Sequence, residues 1–351
     1  MKNRVVYFFV LLCVVMAVVV SNLRAQESQN KRIGSAAAVE LLVPVDARGL
    51  AMGGSCIAFV EGVSAIHWNP AGLGRLESSA QAMFTSMAYI ADIRLNYGAV
   101  GVSFGGFGVV GISVRSFSFG DILLTTNDDP EGLMGRTFSP AFITVGLTYA
   151  RAFTDAITVG GTVKVISETM ARANGSGMAF DLGVQYRNVA GLSGLNIGVA
   201  LKNYGAQMDF GGSGLLRRAT SSEGKRPEQY YRIEAASFEL PSLLEMGIAY
   251  KRDLTKDLFA VVTGSFVNDN MALDQYRIGG EIGYTMDKLR FFGRGGMEYS
   301  PKSDVDEVIW GPSVGGGLYY AAPGISLMLD YAYRQTKYFD NNSMFTLTFG
   351  F

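Results

Sequence analysis

Hydrophobic and polar positions alternate with a period of two along most of the chain after residue 80. In the segment 275–286, QYRIGGEIGYTM, Ile278 and Ile282 lie on one face of an extended chain, and Arg277 and Glu281 lie on the other. Successive side chains of a β-strand point to opposite faces, so the pattern predicts strands with one apolar and one polar face. Charged residues make up only 17% of the chain, which favours a membrane barrel over a soluble β-sandwich that exposes its charges to water.

The alternation predicts fourteen strands. They span approximately residues 81–90, 93–104, 107–119, 140–153, 156–171, 176–188, 193–203, 240–251, 257–267, 274–286, 288–299, 307–321, 323–335 and 343–351. An even number suits a closed antiparallel barrel, which leaves no edge strand unpaired. The segments 93–104, 257–267 and 307–321 alternate poorly, so a barrel that differs by two strands is the alternative.

Short and long connections follow one another between the predicted strands. The short ones read GGFG, TDA, NVAGL, DLTKD, DK and APG, and the long ones include Gly120–Ser139, Tyr204–Glu239 and Ser300–Asp306. Bacterial outer-membrane barrels have short periplasmic turns and longer outer loops. The chain ends MFTLTFGF with a terminal Phe351, which resembles the C-terminal strand signal of such barrels.

The first 25 residues differ from the rest of the chain. Lys2 and Arg4 precede an apolar run of 16 residues, Val5–Val20, and a cleavage site fits after Ala25. This pattern predicts a secretory signal peptide, because the run is short for a spanning helix. We therefore predict export to the outer membrane of a Gram-negative cell.

Residues 26–79 do not alternate, and they contain small residues, glycines and short apolar pieces. The piece Ala36–Val43 fits a short helix that Pro44 would end. A barrel of this size is wide enough to need filling. The predicted fold is therefore all-β: a signal peptide (1–25), an N-terminal hatch or plug (26–79), and a 14-stranded antiparallel transmembrane β-barrel (80–351).

The hatch sequence VPVDARGLAMGGSCIAFVEGVSAIHWNPAGLGRL resembles the opening of the PorV/PorQ family of outer-membrane proteins, which is similar to the FadL-like superfamily of long-chain fatty-acid transporters. The matching residues are Asp46, Ala47, Arg48, Met52, Gly53, Gly54, Trp68, Asn69, Pro70 and Ala71. The resemblance implies a non-enzymatic role in type IX protein secretion, with the C-terminal signal domains of exported proteins as partners. The alternative that it implies is FadL-like uptake of hydrophobic small molecules.

The only histidine of the chain, His67, precedes Trp68 and the Asn69-Pro70 turn. No second histidine and no nucleophile motif accompany it, so we interpret the stretch as a structural turn, with pH-sensitive gating as the alternative. The charge balance, 30 Lys and Arg against 31 Asp and Glu, gives no reason to expect a nucleic-acid partner. We predict no enzyme activity, cofactor or metal site.

The polar faces of the strands carry charges that a closed barrel would turn into its lumen. They form a predicted network of Lys164, Glu168, Arg172, Asp181, Arg277, Glu281, Arg290, Arg294, Glu298, Asp330 and Arg334. Lys164 and Glu168 are about 13 Å apart along one strand, so their partners must come from neighbouring strands, for example Asp181, or from the hatch. An isolated charge is costly in such a place, so we expect a structural network, with binding of a ligand carboxylate as the alternative.

Overall fold

The computed structural model describes residues 34–220, 227–301 and 309–351. The predicted signal peptide, residues 1–25, and the first part of the predicted hatch lie outside the described residues. Within the described residues, no helix has the length and apolar character required to cross a membrane.

Fourteen long strands form a closed antiparallel barrel, in which each strand pairs with the next and the last pairs with the first. They are β1 Ala80–Ala88, β2 Arg94–Ser103, β3 Val109–Ser118, β4 Ala141–Ala152, β5 Ile157–Met170, β6 Ala173–Tyr186, β7 Leu195–Gly205, β8 Leu243–Asp253, β9 Leu258–Asp269, β10 Gln275–Met286, β11 Leu289–Tyr299, β12 Trp310–Ala322, β13 Ile325–Thr336 and β14 Asn342–Gly350. The predicted fold class and strand number are confirmed. The weakly alternating segments form strands as well, because closure pairs each of them on both sides.

The two faces of the wall separate apolar from polar side chains as the pattern predicts. Ile278 and Ile282 on β10 are each 56% exposed, whereas Glu281 on the same strand is buried inside the barrel. The chain therefore has the exterior of an outer-membrane barrel, with large apolar side chains around its circumference.

The two ends of the barrel differ in their connections. Residues 119–140 and 206–242 lie at one end, which we call the outer end, and they add two small hairpins. The opposite, inner end has short turns such as 153–156, 254–257 and 287–288. In bacterial barrels the long loops face outward, which fixes the orientation used below.

The hatch lies inside the barrel as a chain of short helices. These are 3₁₀ turns at Val39–Leu42, Gly62–Ser64 and Pro70–Arg75 and the helices α1 Ala47–Ala51 and α2 Ala65–Trp68. The predicted helix Ala36–Val43 is wrong in its first part. The backbone N–H of Ala37 donates to the Glu239 carbonyl at 3.0 Å, and Ala38 has a left-handed φ of +52°, so only four residues complete a 3₁₀ turn.

We expect Ile282→Arg to lower the free energy of unfolding by roughly 2–4 kcal/mol, because the charge would enter the apolar exterior of the wall. The matched control is Ile122→Arg, since Ile122 is exposed in the outer-end hairpin. Urea unfolding in lipid vesicles measures both. Equal stability of the two variants would contradict a lipid-facing position for Ile282.

Candidate functional site

The carboxylate of Asp46 binds Trp68, which lies 22 residues later in the hatch sequence. One oxygen of Asp46 caps α1 by accepting the Gly49 N–H at 2.6 Å, and the other accepts the indole N–H of Trp68. A carboxylate at a helix N-terminus satisfies an N–H that the helix leaves unpaired. The two halves of the resemblance motif therefore meet in one buried contact that folds the hatch onto itself.

Asn69 connects the hatch to the barrel wall. Its side-chain amide donates to the carbonyls of Ile57 and Val184, each at 3.1 Å, and its side-chain oxygen accepts the Ala71 N–H at 3.2 Å. Pro70 follows as the first residue of the 3₁₀ turn. Proline has no backbone N–H, but at this position an N–H would have no partner within the turn. These contacts agree with the structural interpretation of the Asn-Pro turn.

The middle part of the motif seats the hatch against strand β11. Gly53 and Gly54 adopt left-handed φ angles of +63° and +77°, and a Cβ on Gly53 would lie 2.5 Å from the Met297 backbone nitrogen. At the other end of the preceding helix, the N–H of Ala47 donates to the Thr346 hydroxyl at 2.9 Å.

Glycines of the wall let the hatch backbone approach it directly. A Cβ on Gly160 of β5 would lie 2.5 Å from the backbone of Pro70, and one on Gly198 of β7 would lie 2.5 Å from the Ile57 carbonyl oxygen. Real Cβ atoms do not approach other atoms so closely. The wall and the hatch are therefore fitted to each other at these points.

His67 is buried and bonded to the wall. Its Nδ1 lies 2.7 Å from a guanidinium nitrogen of Arg115, and because a guanidinium only donates, Nδ1 accepts and the proton sits on Nε2. Burial and the nearby Arg115 hold the pKa of His67 well below its usual range. The imidazole is therefore neutral near physiological pH. Protonation of His67 itself consequently does not support the alternative of pH-sensitive gating.

Arg48 of the hatch joins a chain of charges that spans three strands. Its guanidinium donates twice to Glu281, at 2.8 and 2.9 Å. Arg294 binds the same carboxylate at 2.6 Å and also Asp330 at 2.5 Å. Two cations and two anions alternate in this series, so each of the four charges has an opposite charge beside it inside the barrel.

Two further groups of charges pair across the strands. Lys164 lies 2.5 Å from Asp181 and 2.8 Å from the side-chain oxygen of Asn203.

Glu245 of β8 holds the second group together. It lies 3.0 Å from Lys202 and 3.5 Å from Arg277, and Arg277 lies 3.9 Å from Glu298. Sequence reasoning did not place Lys202 and Glu245 in the network, although their alternation pointed them inward.

The remaining residues of the predicted network do not all join it. Arg172 is exposed in the turn after β5 and donates to the Ser213 carbonyl, and Arg290 is exposed near the inner-end turn over the ring of Tyr319. Both lie at the rim, where alternation no longer reports the lumen, so their assignment to the network is corrected.

Glu168 and Arg334 form hydrogen bonds with uncharged groups. Glu168 accepts the Ala38 N–H at 2.9 Å. Arg334 donates to Asn342 at 2.9 and 3.1 Å and lies 3.7 Å from the ring centroid of Trp310.

A cavity of about 450 Å³ lies above the hatch at the outer end. Most of its lining is apolar and aromatic. Representative lining residues are Leu42, Ile93, Phe117, Phe142, Trp68 and Trp310. The last two are both tryptophans of the chain. Sequence reasoning missed this cavity, because its residues come from the hatch and from the outer ends of six or more strands that alternation describes separately.

The fold is similar to those of several solved channels and transporters. CymD, a monoaromatic hydrocarbon channel, superposes with a TM-score of 0.54 at 13% identity, covering 88% of this chain and 97% of that one. The toluene transporter TbuX of Ralstonia pickettii gives 0.51 at 15% identity, covering 86% and 96%. The toluene transporter TodX of Pseudomonas putida gives 0.54 at 12% identity, covering 87% and 96%.

No family model matches the chain, and no curated protein is significantly similar to it. The identities are low, so the similarity to these structures establishes the fold alone.

We expect Gly198→Ala to destabilise the barrel by about 1–3 kcal/mol, because the added methyl overlaps the hatch backbone and forces it from the wall. Gly293→Ala on β11 is the control, since a Cβ there meets nothing within 4 Å. The heat-induced loss of compact gel mobility reports both. Equal melting of the two variants would argue against direct seating of the hatch.

Proposed function

We propose that this protein takes up small, neutral, largely apolar molecules across the outer membrane of a Gram-negative cell. The observation that carries the proposal is the aromatic cavity above the hatch. Its volume, about 450 Å³, lies in the range of small-molecule sites, roughly 300–1,000 Å³. It lies at the end where the long loops are, so a ligand that reaches the cell surface meets it before the hatch.

The chemistry of the lining supports an apolar aromatic ligand. Phe119 and Phe142 stack edge to face with centroids 4.6 Å apart, and Tyr89 lies 5.8 Å from Trp310 and 6.2 Å from Phe117. Aromatic pairs of this kind form surfaces that favour further rings.

Two of the three cations that border the cavity, Lys202 and Arg277, are paired with carboxylates, and the third, Arg334, donates to Asn342. Lys202 and Arg277 share Glu245, and Arg277 also faces Glu298. A ligand carboxylate would have to break such pairs, which favours a neutral ligand over an anionic one. The toluene transporters that share the fold support the same ligand class.

The secretion hypothesis has less support. The resemblance to the PorV/PorQ family depends on ten hatch residues that include Asp46, Trp68 and Asn69, and these three are buried in contacts that hold the hatch. A protein partner at the cell surface would not touch them. Docking of exported proteins at the loops 120–139 and 204–239 remains a prediction, as does export through the signal peptide.

Tryptophan fluorescence measures the proposed binding directly, because both tryptophans line the cavity. We expect bromobenzene, whose heavy atom quenches indole emission, to quench the purified wild-type protein saturably. Leu42→Glu should weaken this binding at least tenfold, because it places a charge in the apolar lining.

Leu133→Glu is the matched control, since Leu133 is 84% exposed in an outer loop. Uptake of radiolabelled toluene by cells that express each protein gives the functional counterpart. Unsaturable quenching, or equal binding by the Leu42 and Leu133 variants, would reject the cavity as the ligand site.

A further inference from the structure

Arg334 differs from the other two cations that line the outer cavity. Lys202 and Arg277 lie 3.0 and 3.5 Å from the carboxylate of Glu245. Arg334 is also buried, with 6% of its surface exposed, but no carboxylate of the described residues is in ion-pair contact with it. Burial of a cation without such a contact is costly, so its place in the cavity needs another explanation.

Two neighbours fix the guanidinium of Arg334. Its Nε and Nη2 donate to the side-chain oxygen of Asn342 at 3.1 and 2.9 Å, and its central carbon lies 3.7 Å from the ring centroid of Trp310. Asn342 is itself fully buried, and its side-chain amide donates to the Tyr89 carbonyl at 2.7 Å. The guanidinium is therefore held in one place and one orientation before any ligand arrives.

One edge of this guanidinium remains available to a ligand. A guanidinium carries five N–H donors, and Asn342 accepts two of them. Nη1 has no hydrogen-bond partner among the described residues, and it is accessible rather than enclosed. Because Arg334 lines the outer cavity, the edge formed by Nη1 and Nη2 is a fixed set of donors at the border of that cavity.

These donors adjoin aromatic rings. Trp310, under the guanidinium, lies 5.8 Å from Tyr89, which in turn lies 6.2 Å from Phe117. A pure hydrocarbon bound against these rings would remove water from the N–H donors without replacing its hydrogen bonds, which costs free energy. An oxygen atom attached to the ligand ring would accept from the donors and avoid that cost.

Glu298 indicates that this oxygen is uncharged. It lines the same cavity and interacts electrostatically with Arg334, although the two are not in ion-pair contact. Its carboxylate already offsets the charge of the guanidinium and would repel a second carboxylate placed beside it. The cavity therefore fits a carbonyl oxygen better than a carboxylate.

We infer that the ligand is a neutral aromatic molecule that carries one hydrogen-bond acceptor, such as a ketone oxygen, and that Arg334 selects it by donating to this oxygen. The inference rests on the proposed function, because it names the ligand class of the same cavity. The apolar lining binds the ring, and Arg334 distinguishes an oxygenated ring from a hydrocarbon of the same shape.

Acetophenone and α-methylstyrene test this selection, because they have nearly the same shape and differ by an oxygen in place of a methylene group. Displacement of radiolabelled toluene from the purified protein in lipid nanodiscs gives an affinity for each. The affinity ratio, acetophenone over α-methylstyrene, should be roughly ten- to a hundredfold higher in the wild type than in Arg334→Met, as expected for a hydrogen bond to a charged group. Partition of the ligands into lipid cancels in this comparison of proteins.

Two further variants accompany this measurement. Arg334→Lys keeps the charge, but one ammonium cannot both bind Asn342 and present a fixed pair of donors to the ligand, so the ratio should fall as well. Arg136→Met is the matched control, since Arg136 is exposed in an outer loop, and it should keep the wild-type ratio. Arg334→Lys also provides the test if Arg334→Met does not assemble, which heat-modifiable gel mobility shows.

A purely structural role of Arg334 gives a different result. Loss of structure would weaken both ligands alike and leave the ratio unchanged, whereas the inferred role lowers the affinity for acetophenone and leaves α-methylstyrene bound at least as tightly. A wild-type ratio in both Arg334 variants would overturn the inference. Failure of toluene itself to bind the wild type would instead reject the proposed function.

Benzamide and benzoate test the charge of the ligand, because they have similar shapes and only benzoate is an anion at neutral pH. Benzamide should displace toluene from the wild type and benzoate should not. Glu298→Gln removes the repelling carboxylate and should allow benzoate to compete. Tight binding of benzoate to the wild type, lost in Arg334→Met, would overturn the assignment of a neutral ligand.

Discussion

The direct contact between the hatch backbone and the barrel wall is the constraint on which the rest of the structure depends. A barrel of fourteen strands encloses more space than its own inward side chains fill, so a second piece of chain has to pack inside. At Gly160 and Gly198 the wall has no side chain, and the hatch backbone occupies the place of the missing Cβ. Asn69 then donates to carbonyls of both partners, Ile57 of the hatch and Val184 of the wall, at the place of this close approach.

The same constraint explains the charges of the lumen. An ion inside the wall is expensive unless its partner is fixed nearby, and the hatch supplies one of these partners in Arg48. Glu281 binds this hatch cation and the wall cation Arg294 together, so the pair of cations holds α1 in one position. Stability and hatch placement therefore depend on the same carboxylate.

The strands of the wall could be predicted from the sequence, whereas the contacts of the hatch inside the wall could not. Strand positions and faces follow from a local period of two, which is visible within a dozen residues, as Ile282 and Glu281 illustrate. The hydrogen bond between the Ala38 N–H and Glu168 joins residues that are far apart in the chain, and nothing in either neighbourhood specifies it. Arg172 and Arg290 show the opposite error, because the local period continues to the rim of the barrel, where a side chain on the polar face is exposed to solvent.

The two parts of the hatch are held in different ways. The piece from α1 to the 3₁₀ turn at Pro70–Arg75 is held by an ion-pair chain, by Asn69 and by glycine seats, so its release would cost many interactions at once. The preceding segment, residues 36–43, is held by three hydrogen bonds of its backbone and by the packing of Ala37, Ala38 and Leu41 in a buried apolar cluster with wall and loop residues. Leu41 of this segment lines both the outer cavity and the small void below it, so the packing of the segment also fixes the floor of the outer cavity.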